Sequence, residues 1–148
     1  MKSPFVYDKA KWHLETVLLE GYDEDQTFVH TGLYFGWLIL HDYLAPDFRS
    51  ALSDAELARF LAREVTGPQL FASFDGVLMD AMLTDEGNQF SRAYFDFDDG
   101  YYLSDYREAF SVGGGPEMLN VGDSWENFDW IAAYIDRAFS KWRSEAGA

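Results

Sequence analysis

The longest apolar segment of the chain, residues 28–43, keeps its hydrophobic character on every face when it is drawn as a helix. Its most polar stripe is formed by His30, Tyr34, Trp37 and His41, whose spacing of i, i+4, i+7 and i+11 places them on one side. A helix that is apolar all round is normally buried. We therefore expect residues 28–43 to form a central helix around which the rest of the chain packs.

Capping signals predict where other helices begin. Ser53 and Glu56 have the spacing of a capping box, and Thr84 fits an N-cap followed by two acidic residues. Asp123 and Glu126 form another candidate capping box, which predicts a last helix that runs to about residue 143. Between the helices, the glycine-rich residues 111–122 predict an irregular loop.

Single residues define further expectations about packing. Asp8 fits the N-cap of a short N-terminal helix, and Pro46 marks the end of the central helix. Gly32 and Gly36 lie on one side of that helix, where they allow another backbone to come close. Residues 77–83 are apolar enough for either a helix or a buried strand, and periodicity does not separate the two at this length.

Together these patterns predict a mainly α protein. We expect a single compact domain over residues 1–148, with roughly six to seven helices around the buried central helix. The tail at residues 143–148 is expected to fray. A small β-hairpin in residues 5–20 or 110–122 is compatible with the same pattern.

The composition adds a strongly acidic charge, with 26 acidic and 11 basic residues and a formal net charge of −15. Such a surface repels phosphate backbones and anionic lipids, so we expect no binding to nucleic acids or membranes. The same charge speeds the encounter with a basic protein partner. The apolar segment is too short to span a bilayer, and the N-terminal region lacks the apolar core of a signal peptide. These features predict a cytoplasmic protein.

Metal-binding patterns are weak in this sequence. The chain has no cysteine, which excludes disulfides and thiolate ligands. His30 and His41 lie about 16 Å apart along the central helix, so the two cannot bind one ion. His13 could join either of them, with an aspartate completing the site. Isolated histidines are more typical of hydrogen-bonded core positions than of metal ligands, so we predict no metal site.

Other motifs of cofactor binding and catalysis are incomplete. The acidic turn that begins at Asp96 lacks the glycine and glutamate spacing of a calcium-binding EF-hand loop. The three glycines at 113–115 are not followed by the lysine of a phosphate-binding loop, and the chain has no GxSxG motif. The sequence therefore predicts no cofactor and names no catalytic residue.

The polar stripe of the central helix leaves two interpretations open. Its residues His30, Tyr34 and Trp37 could line a pocket, or they could fill the core with each polar atom satisfied. A pocket would combine them with three residues of the N-terminal region, namely Tyr7, Trp12 and His13. The all-round apolar character of the helix favours the core.

Two motifs resemble a known family. YDKAKWH at residues 7–13 and HTGLYFGW at residues 30–37 are similar to the motifs Tyr-Asp-x-Ala-Lys-Trp-His and His-x-Gly-x-Tyr/Phe-x-x-Trp of an uncharacterised family of small bacterial proteins, a domain of unknown function. Residues 83–90, 105–106 and 124–127 also fit this family, and the resemblance spans most of the chain, about residues 7–142. It implies a bacterial cytosolic setting and a role like that of small acidic immunity proteins, and it carries over no catalytic residue. The motif residues that it marks as a shared site or structural cluster are Asp8, Lys11, Trp12, His13, His30 and Trp37.

Three functional hypotheses follow from the sequence. The first is a non-enzymatic protein-binding module, an immunity-type inhibitor of a basic toxin, with a steering surface formed by Asp23, Glu24, Asp25, Asp96, Asp98 and Asp99. The alternative is a small-molecule-binding protein or small enzyme whose site is built from residues 7–13 and His30. The third is a homodimer formed through Trp130 and Tyr134.

We expect residues 7–13 to dock at the end of the polar stripe that holds His30 and Trp37, with His41 facing solvent or capping the helix.

Overall fold

The computed structural model describes residues 5–113 and 115–146. Eight α-helices make up most of this part of the chain, together with three short 3-10 helices and two short strands. In chain order the elements are β1 (Val6–Lys9), a 3-10 helix (Ala10–His13), α1 (Leu14–Leu19), α2 (Gln26–Leu40), α3 (Pro46–Ala51), α4 (Asp54–Leu61), α5 (Gly67–Ser73), β2 (Val77–Met79), a 3-10 helix (Asp80–Met82), α6 (Asp85–Tyr94), α7 (Tyr102–Phe110), a 3-10 helix (Gly115–Leu119) and α8 (Trp125–Ala146). The prediction of a mainly α fold is confirmed.

Helix α2 is the central helix that the apolar pattern predicted. Every residue from 29 to 39 is buried, and Tyr34, Phe35 and Leu38 have no exposed surface. Its neighbours close over all of its faces, because aromatic side chains from α5, α6, α7 and α8 pack against it. A helix that is apolar on every face is stable in water only when other elements cover all of it, as they do here.

The closest helix contact is between α2 and α5. A Cβ atom at Gly32 would overlap the backbone of Pro68, and one at Gly36 would lie 3.4 Å from the Cα atom of Gly67. The two backbones come this close because glycine presents no side chain at the crossing point. The close approach predicted for Gly32 and Gly36 is confirmed.

The prediction that Pro46 ends the central helix is wrong. Helix α2 ends at Leu40, and Pro46 is the first residue of α3. Proline suits the first turn of a helix because its fixed φ is helical and its missing N–H group needs no partner there. Helix α3 was not predicted, and it accounts for the eighth α-helix of the described residues.

Most of the predicted helix starts are confirmed by side-chain caps. Ser53 and Glu56 form the capping box of α4, and the Thr84 hydroxyl accepts a hydrogen bond from the backbone N–H of Gly87 at the start of α6. Helix α8 differs, because Ser124 rather than Asp123 accepts the bond from the N–H of Asn127. It also continues to Ala146, past the end expected at about residue 143.

The two strands form an antiparallel pair that is not a hairpin. β1 pairs with β2 across a long stretch of chain, so residues 77–79 are a strand. The hairpin that the sequence pattern allowed in 5–20 or 110–122 is absent from the described residues. Asp8 lies in β1, so its predicted role as an N-cap is wrong. A bulge between Val6 and Asp8 lets two successive residues, Tyr7 and Asp8, both point into the protein.

None of the helices in the described residues has the length and the apolar character that a membrane crossing requires.

Candidate functional site

Four polar side chains meet where β1, the 3-10 helix Ala10–His13 and α2 come together. Asp8 follows the bulge of β1 and is fully buried, and His13 ends the 3-10 helix. The backbone N–H of Ala10 donates to the carbonyl of Gly76 at 2.7 Å, which fixes the start of this helix against the turn before β2. His30 and Thr31 approach from the buried face of α2.

The carboxylate of Asp8 is the centre of this cluster. Its Oδ1 atom lies 2.6 Å from His13 Nε2, and its Oδ2 atom accepts a hydrogen bond of 2.6 Å from the Thr31 hydroxyl. His30 Nε2 lies 3.6 Å from the same Oδ2 atom. The His13 and His30 rings pack edge to face with their centroids 4.6 Å apart. We call Asp8, His13, His30 and Thr31 the polar cluster.

Burial and charge set the protonation of the cluster. Burial alone would raise the pKa of Asp8, but the hydrogen bond from His13, the field of the two histidines and the hydrogen bond from Thr31 outweigh it and hold the pKa below its ordinary value. Burial lowers the pKa of His30 to about 4, against the opposing attraction of Asp8. At neutral pH the cluster therefore contains a buried carboxylate beside a neutral imidazole.

His30 is buried, yet neither of its ring nitrogens forms a hydrogen bond within the part of the chain that the structure describes. Its Nδ1 atom has no partner among the described residues, and the 3.6 Å between Nε2 and Asp8 is too long for a hydrogen bond. A buried polar atom without a partner costs about 1–3 kcal/mol. The side chain of His30 therefore has capacity to bind a group that the protein itself does not supply.

A cavity of about 320 Å³ adjoins the polar cluster, and His13 and His30 form part of its wall. The rest of the wall is mostly apolar and comes from α1, the segment before α7, α7 itself and the 3-10 helix Gly115–Leu119. These lining residues are Thr16, Phe97, Leu103, Gly115, Pro116, Met118 and Leu119. Its volume falls within the range of about 300–1,000 Å³ that is usual for small-molecule sites.

The polar cluster also brings together a possible set of metal ligands. Asp8, His13 and His30 can each offer one ligand atom, and these atoms lie within 4.8 Å of one another. This is the combination of His13, a second histidine and an aspartate that the sequence left open. His30 and His41 do not share it, as the rise along the helix required.

Other residues proposed from the sequence lie elsewhere. Lys11 and Trp12 are exposed, and 54% of the Trp12 surface faces solvent. Tyr7 is buried next to Asp8, but its hydroxyl donates to Asn88 Oδ1 at 2.7 Å and faces away from the cluster. Within the N-terminal motif, Lys11 and Trp12 therefore face solvent, and Tyr7 makes a structural contact in the interior. Only Asp8 and His13 belong to the site.

Tyr34 and Trp37 belong to the core and are outside the cavity wall. The Tyr34 hydroxyl is hydrogen-bonded to Ser91 at 2.8 Å, and the Trp37 indole N–H donates to Asp136 at 2.9 Å. The expectation that the N-terminal motif docks near His30 is confirmed, but Trp37 lies instead beside His41, with the ring centroids 4.0 Å apart. His41 is the C-cap of α2 and is 37% exposed, as expected.

Several residues of the site were not found from the sequence. Thr31 directly follows His30 in the second motif, but its hydrogen bond to Asp8 depends on a strand that the sequence did not predict. Phe97, Leu103 and Met118 come from three separate segments, and the glycine-rich segment was interpreted only as a loop. No local signal connects these segments, because the cavity arises from their packing.

The acidic residues expected to steer a partner are mostly exposed. Asp23, Glu24 and Asp25 precede α2, and Asp98 and Asp99 lie in the turn before α7. Asp96 differs, because it is half-buried and its carboxylate accepts a hydrogen bond from the backbone N–H of Asp98 at 2.9 Å. Asp96 therefore shapes its own turn.

The two aromatic residues of the homodimer hypothesis differ in exposure. Trp130 is exposed, although its indole N–H donates to the carbonyl oxygen of Ala109. Tyr134 is half-buried, and the guanidinium of Arg137 lies 5.0 Å from its ring centroid. The homodimer stays a prediction.

Comparisons with other proteins bear on the family of the chain. Neither a search of curated proteins nor a search of solved structures finds a significant match. A family model does match residues 6–121, a range that contains the polar cluster and every residue of the cavity wall. On this match the chain belongs to the family described as a domain of unknown function, DUF7832.

Proposed function

We propose that this protein binds a small, mainly apolar molecule in the cavity beside the polar cluster. One observation carries the proposal: two histidines, one of them held by a buried carboxylate, form part of the wall of a cavity that is otherwise mostly apolar. Small-molecule sites have this composition, because apolar walls provide contact area and a few polar groups fix the orientation of the ligand.

The cluster indicates which ligand chemistry fits. The unpartnered imidazole of His30 favours a ligand with one hydrogen-bonding group placed against the histidines. The wall formed by Phe97, Leu103 and Met118 favours an aliphatic or aromatic body. A volume near the lower end of the usual range limits the ligand to a compact molecule.

Binding of small phenols and azoles, with 4-propylphenol as the first probe, tests this function. The phenol offers an apolar body and one hydroxyl group, and ligand-detected NMR measures weak binding directly. Leu103→Trp places a bulky side chain in the cavity wall and is expected to weaken binding at least tenfold. Leu61→Trp is the matched control, because Leu61 is exposed on α4. Lack of binding of the whole probe set to the wild type, or unchanged binding to Leu103→Trp, would contradict the proposal.

A second candidate function, the immunity-type inhibitor, is favoured by a different surface. Apolar side chains are exposed along the first turns after β1, where 54% of Trp12, 53% of Leu18 and 79% of Leu19 face solvent. Exposed acids surround them in the sequence, namely Glu15, Glu20, Asp23, Glu24 and Asp25. We call these eight residues the α1 surface. Apolar contacts within an acidic field suit a basic protein partner. Such an inhibitor would act in the bacterial cytoplasm on a toxin encoded nearby.

Co-expression with the product of the neighbouring gene, followed by size-exclusion chromatography, tests the inhibitor function. A double substitution, Leu18→Ser with Leu19→Ser, is expected to abolish a complex that the wild type forms. Leu61→Ser removes an exposed leucine from α4 and serves as the control. The inhibitor function is wrong if the two proteins elute separately, or if the double variant forms the complex as well as the wild type does.

A further inference from the structure

We propose that Asp8, His13 and His30 bind one divalent transition-metal ion of the class that includes Zn²⁺, with an open coordination position toward the cavity. The three residues can place one ligand atom each within 4.8 Å of the others. Two imidazole nitrogens with one carboxylate oxygen are a known ligand set for Zn²⁺ and for divalent iron. The inference deepens the proposed function, and it rests on that function for the ligand that completes the coordination.

The unpartnered state of His30 is the observation that points to an ion. His30 is buried, its Nδ1 atom has no partner among the described residues, and its Nε2 atom is 3.6 Å from Asp8. A structural histidine in a core normally has one nitrogen hydrogen-bonded to a carbonyl or carboxylate group. Coordination through Nε2, the nitrogen that faces Asp8, gives that atom the partner that it lacks among the described residues.

Thr31 supplies the support that a carboxylate ligand requires. Its hydroxyl donates to Oδ2 of Asp8 at 2.6 Å, which fixes the carboxylate and leaves Oδ1 facing His13. Ligating carboxylates in metal sites are held in this manner by a second group. The polar cluster therefore contains three candidate ligands and one residue that orients a ligand.

The distances require only a small adjustment. Ligand atoms that bind one Zn²⁺ at about 2.0–2.1 Å lie roughly 3.0–3.4 Å from each other. Oδ1 of Asp8 and Nε2 of His13 are 2.6 Å apart and must separate slightly, whereas the ligand atom of His30 lies within 4.8 Å of the other two and must approach them. His13 is only partly buried, so its ring has the freedom to make this movement.

Charge also favours a cation at this position. Asp8 is a buried carboxylate whose nearest polar neighbours, His13, His30 and Thr31, bring no second anion. The protein as a whole has a net charge of −15, so its field attracts cations. A divalent ion would leave a local positive charge, which favours a ligand with an anionic or strongly polar group at the open position.

Metal binding is tested on the full-length protein after treatment with a chelator. The protein is titrated with Zn²⁺ by calorimetry, in excess Mg²⁺ to occupy surface carboxylates, and with Co²⁺, whose visible absorption reports nitrogen and oxygen coordination. We expect one ion per chain. His13→Asn and His30→Asn are each expected to weaken Zn²⁺ binding by more than about 100-fold, and Thr31→Val by about 10- to 100-fold.

His41→Asn is the matched control. It removes the third histidine, which lies at the other end of α2 and outside the cluster, and should leave Zn²⁺ affinity unchanged. If the His30 variant fails to fold, as judged by circular dichroism, the variant at the partly buried His13 still decides the question. The proposal is overturned if the wild type does not bind one ion per chain, or if the His13 variant binds Zn²⁺ as tightly as the His41 variant does.

A second probe separates this inference from the proposed function. Benzohydroxamate binds Zn²⁺ through two oxygens and has an aromatic body, so it should bind the zinc-loaded protein and not the metal-free protein. Leu103→Trp should retain Zn²⁺ but lose benzohydroxamate. Binding of 4-propylphenol without any Zn²⁺ binding would leave the proposed function in place and overturn the metal site. Zn²⁺ binding without benzohydroxamate binding would retain the ion but contradict an open position toward the cavity.

Discussion

At the level of single residues, the buried carboxylate of Asp8 determines the character of the site. A carboxylate without exposed surface is stable only when its oxygens accept strong hydrogen bonds, and here His13 and Thr31 each supply one. The third neighbour, His30, lies beyond hydrogen-bond distance. The site therefore contains one fully supported anion and one imidazole whose buried Nδ1 atom has no partner among the described residues.

Thr31→Val removes the hydrogen bond to Asp8 while keeping a branched side chain of similar size. A hydrogen bond to a charged group contributes about 1.5–3 kcal/mol, so we expect the free energy of unfolding to fall by this amount in urea denaturation of the metal-free protein. Thr27→Val is the control, because the Thr27 hydroxyl donates to an uncharged carbonyl, that of Glu24. Loss of that bond should lower the free energy of unfolding by only about 0.5–1.5 kcal/mol. Equal losses in the two variants would show that the charge of Asp8 is not supported by Thr31.

A second prediction concerns Asp136, which joins α8 to the end of α2. Its Oδ1 atom accepts the indole N–H of Trp37 and lies 3.6 Å from His41 Nε2. Burial lowers the pKa of His41 from its ordinary value of 6.5, and the charge of Asp136 opposes that shift. Asp136→Asn keeps an acceptor for Trp37 but removes the charge, so an NMR titration should show the pKa of His41 lowered further.

The pH dependence of stability follows from the same shift. Because the pKa of His41 is lower in the folded state than in the unfolded state, its contribution to stability is full above about pH 6.5 and is lost as the pH falls below that value. Asp136→Asn should increase this loss. Asp136→Ala also leaves the buried Trp37 donor without its acceptor, which costs about 1–3 kcal/mol, toward the lower end because water can reach the exposed position. An unchanged or raised His41 pKa in Asp136→Asn would contradict the assignment.

At the level of elements, the sequence predicted what depends on neighbouring residues. The central helix, the capping box of α4 and the N-cap of α6 are all encoded within a few positions, and each is confirmed. The pairing of β1 with β2 was not predicted, because a strand of three or four residues acquires its identity from a partner far along the chain. The prediction that Asp8 caps a helix was wrong for this reason. The residues around Asp8 are compatible both with the start of a short helix and with a bulged strand, and only the pairing with β2 distinguishes the two.

The contact between α2 and α5 allows a sharp test of packing. Gly32→Ala would gain about 1 kcal/mol from the better helix propensity of alanine. Its Cβ atom would, however, overlap the backbone of Pro68, and overpacking against a rigid neighbour costs about 1–3 kcal/mol or more. Because α5 cannot move away without exposing Leu70 and Phe71, we expect a cost at the upper end of this range, which leaves a net loss of about 2 kcal/mol in urea denaturation.

Gly122→Ala provides the matched control for this helix contact. A Cβ atom at Gly122 would meet only the side-chain nitrogen of Asn127, at an ordinary contact distance of 3.6 Å. A change within about 0.5 kcal/mol is expected there. The close approach of α2 and α5 would be wrong if Gly32→Ala were as stable as the wild type.

At the level of the whole molecule, the site shows where sequence reasoning ends. Asp8, His13 and His30 were identified as candidates because two short motifs contain them, and the fold brings these motifs together. The cavity was not predicted, since its wall combines Phe97, Leu103 and Met118 from segments that have no common pattern. Short sequence motifs can therefore identify the polar residues of a site, but the volume of its cavity depends on how the whole chain packs.

The net charge leads to a prediction about salt. A chain of this length folds to a radius of gyration of about 15 Å. The Debye length is about 30 Å at 0.01 M salt and about 8 Å at 0.15 M salt, so acidic residues repel one another across the whole molecule only in dilute buffer. Exposed ion pairs such as Arg63–Asp129 weaken as salt rises, but solvent already screens such pairs and each contributes little to stability. With 26 acidic and 11 basic residues, repulsion dominates.

We therefore expect the melting temperature of the metal-free protein to rise as NaCl increases from about 0.01 M to about 0.15 M, since screening removes repulsion that destabilises the folded state. Thermal unfolding followed by circular dichroism, with a chelator present throughout, measures this. Neutralising two exposed acids of one turn, Asp98→Asn with Asp99→Asn, should raise the melting temperature in dilute buffer and reduce its response to salt. A melting temperature that falls with NaCl would mean that the ion pairs outweigh the excess negative charge. The repulsion among the unpaired acidic residues would then contribute less to the stability of the folded protein than the ion pairs do, although the net charge is −15.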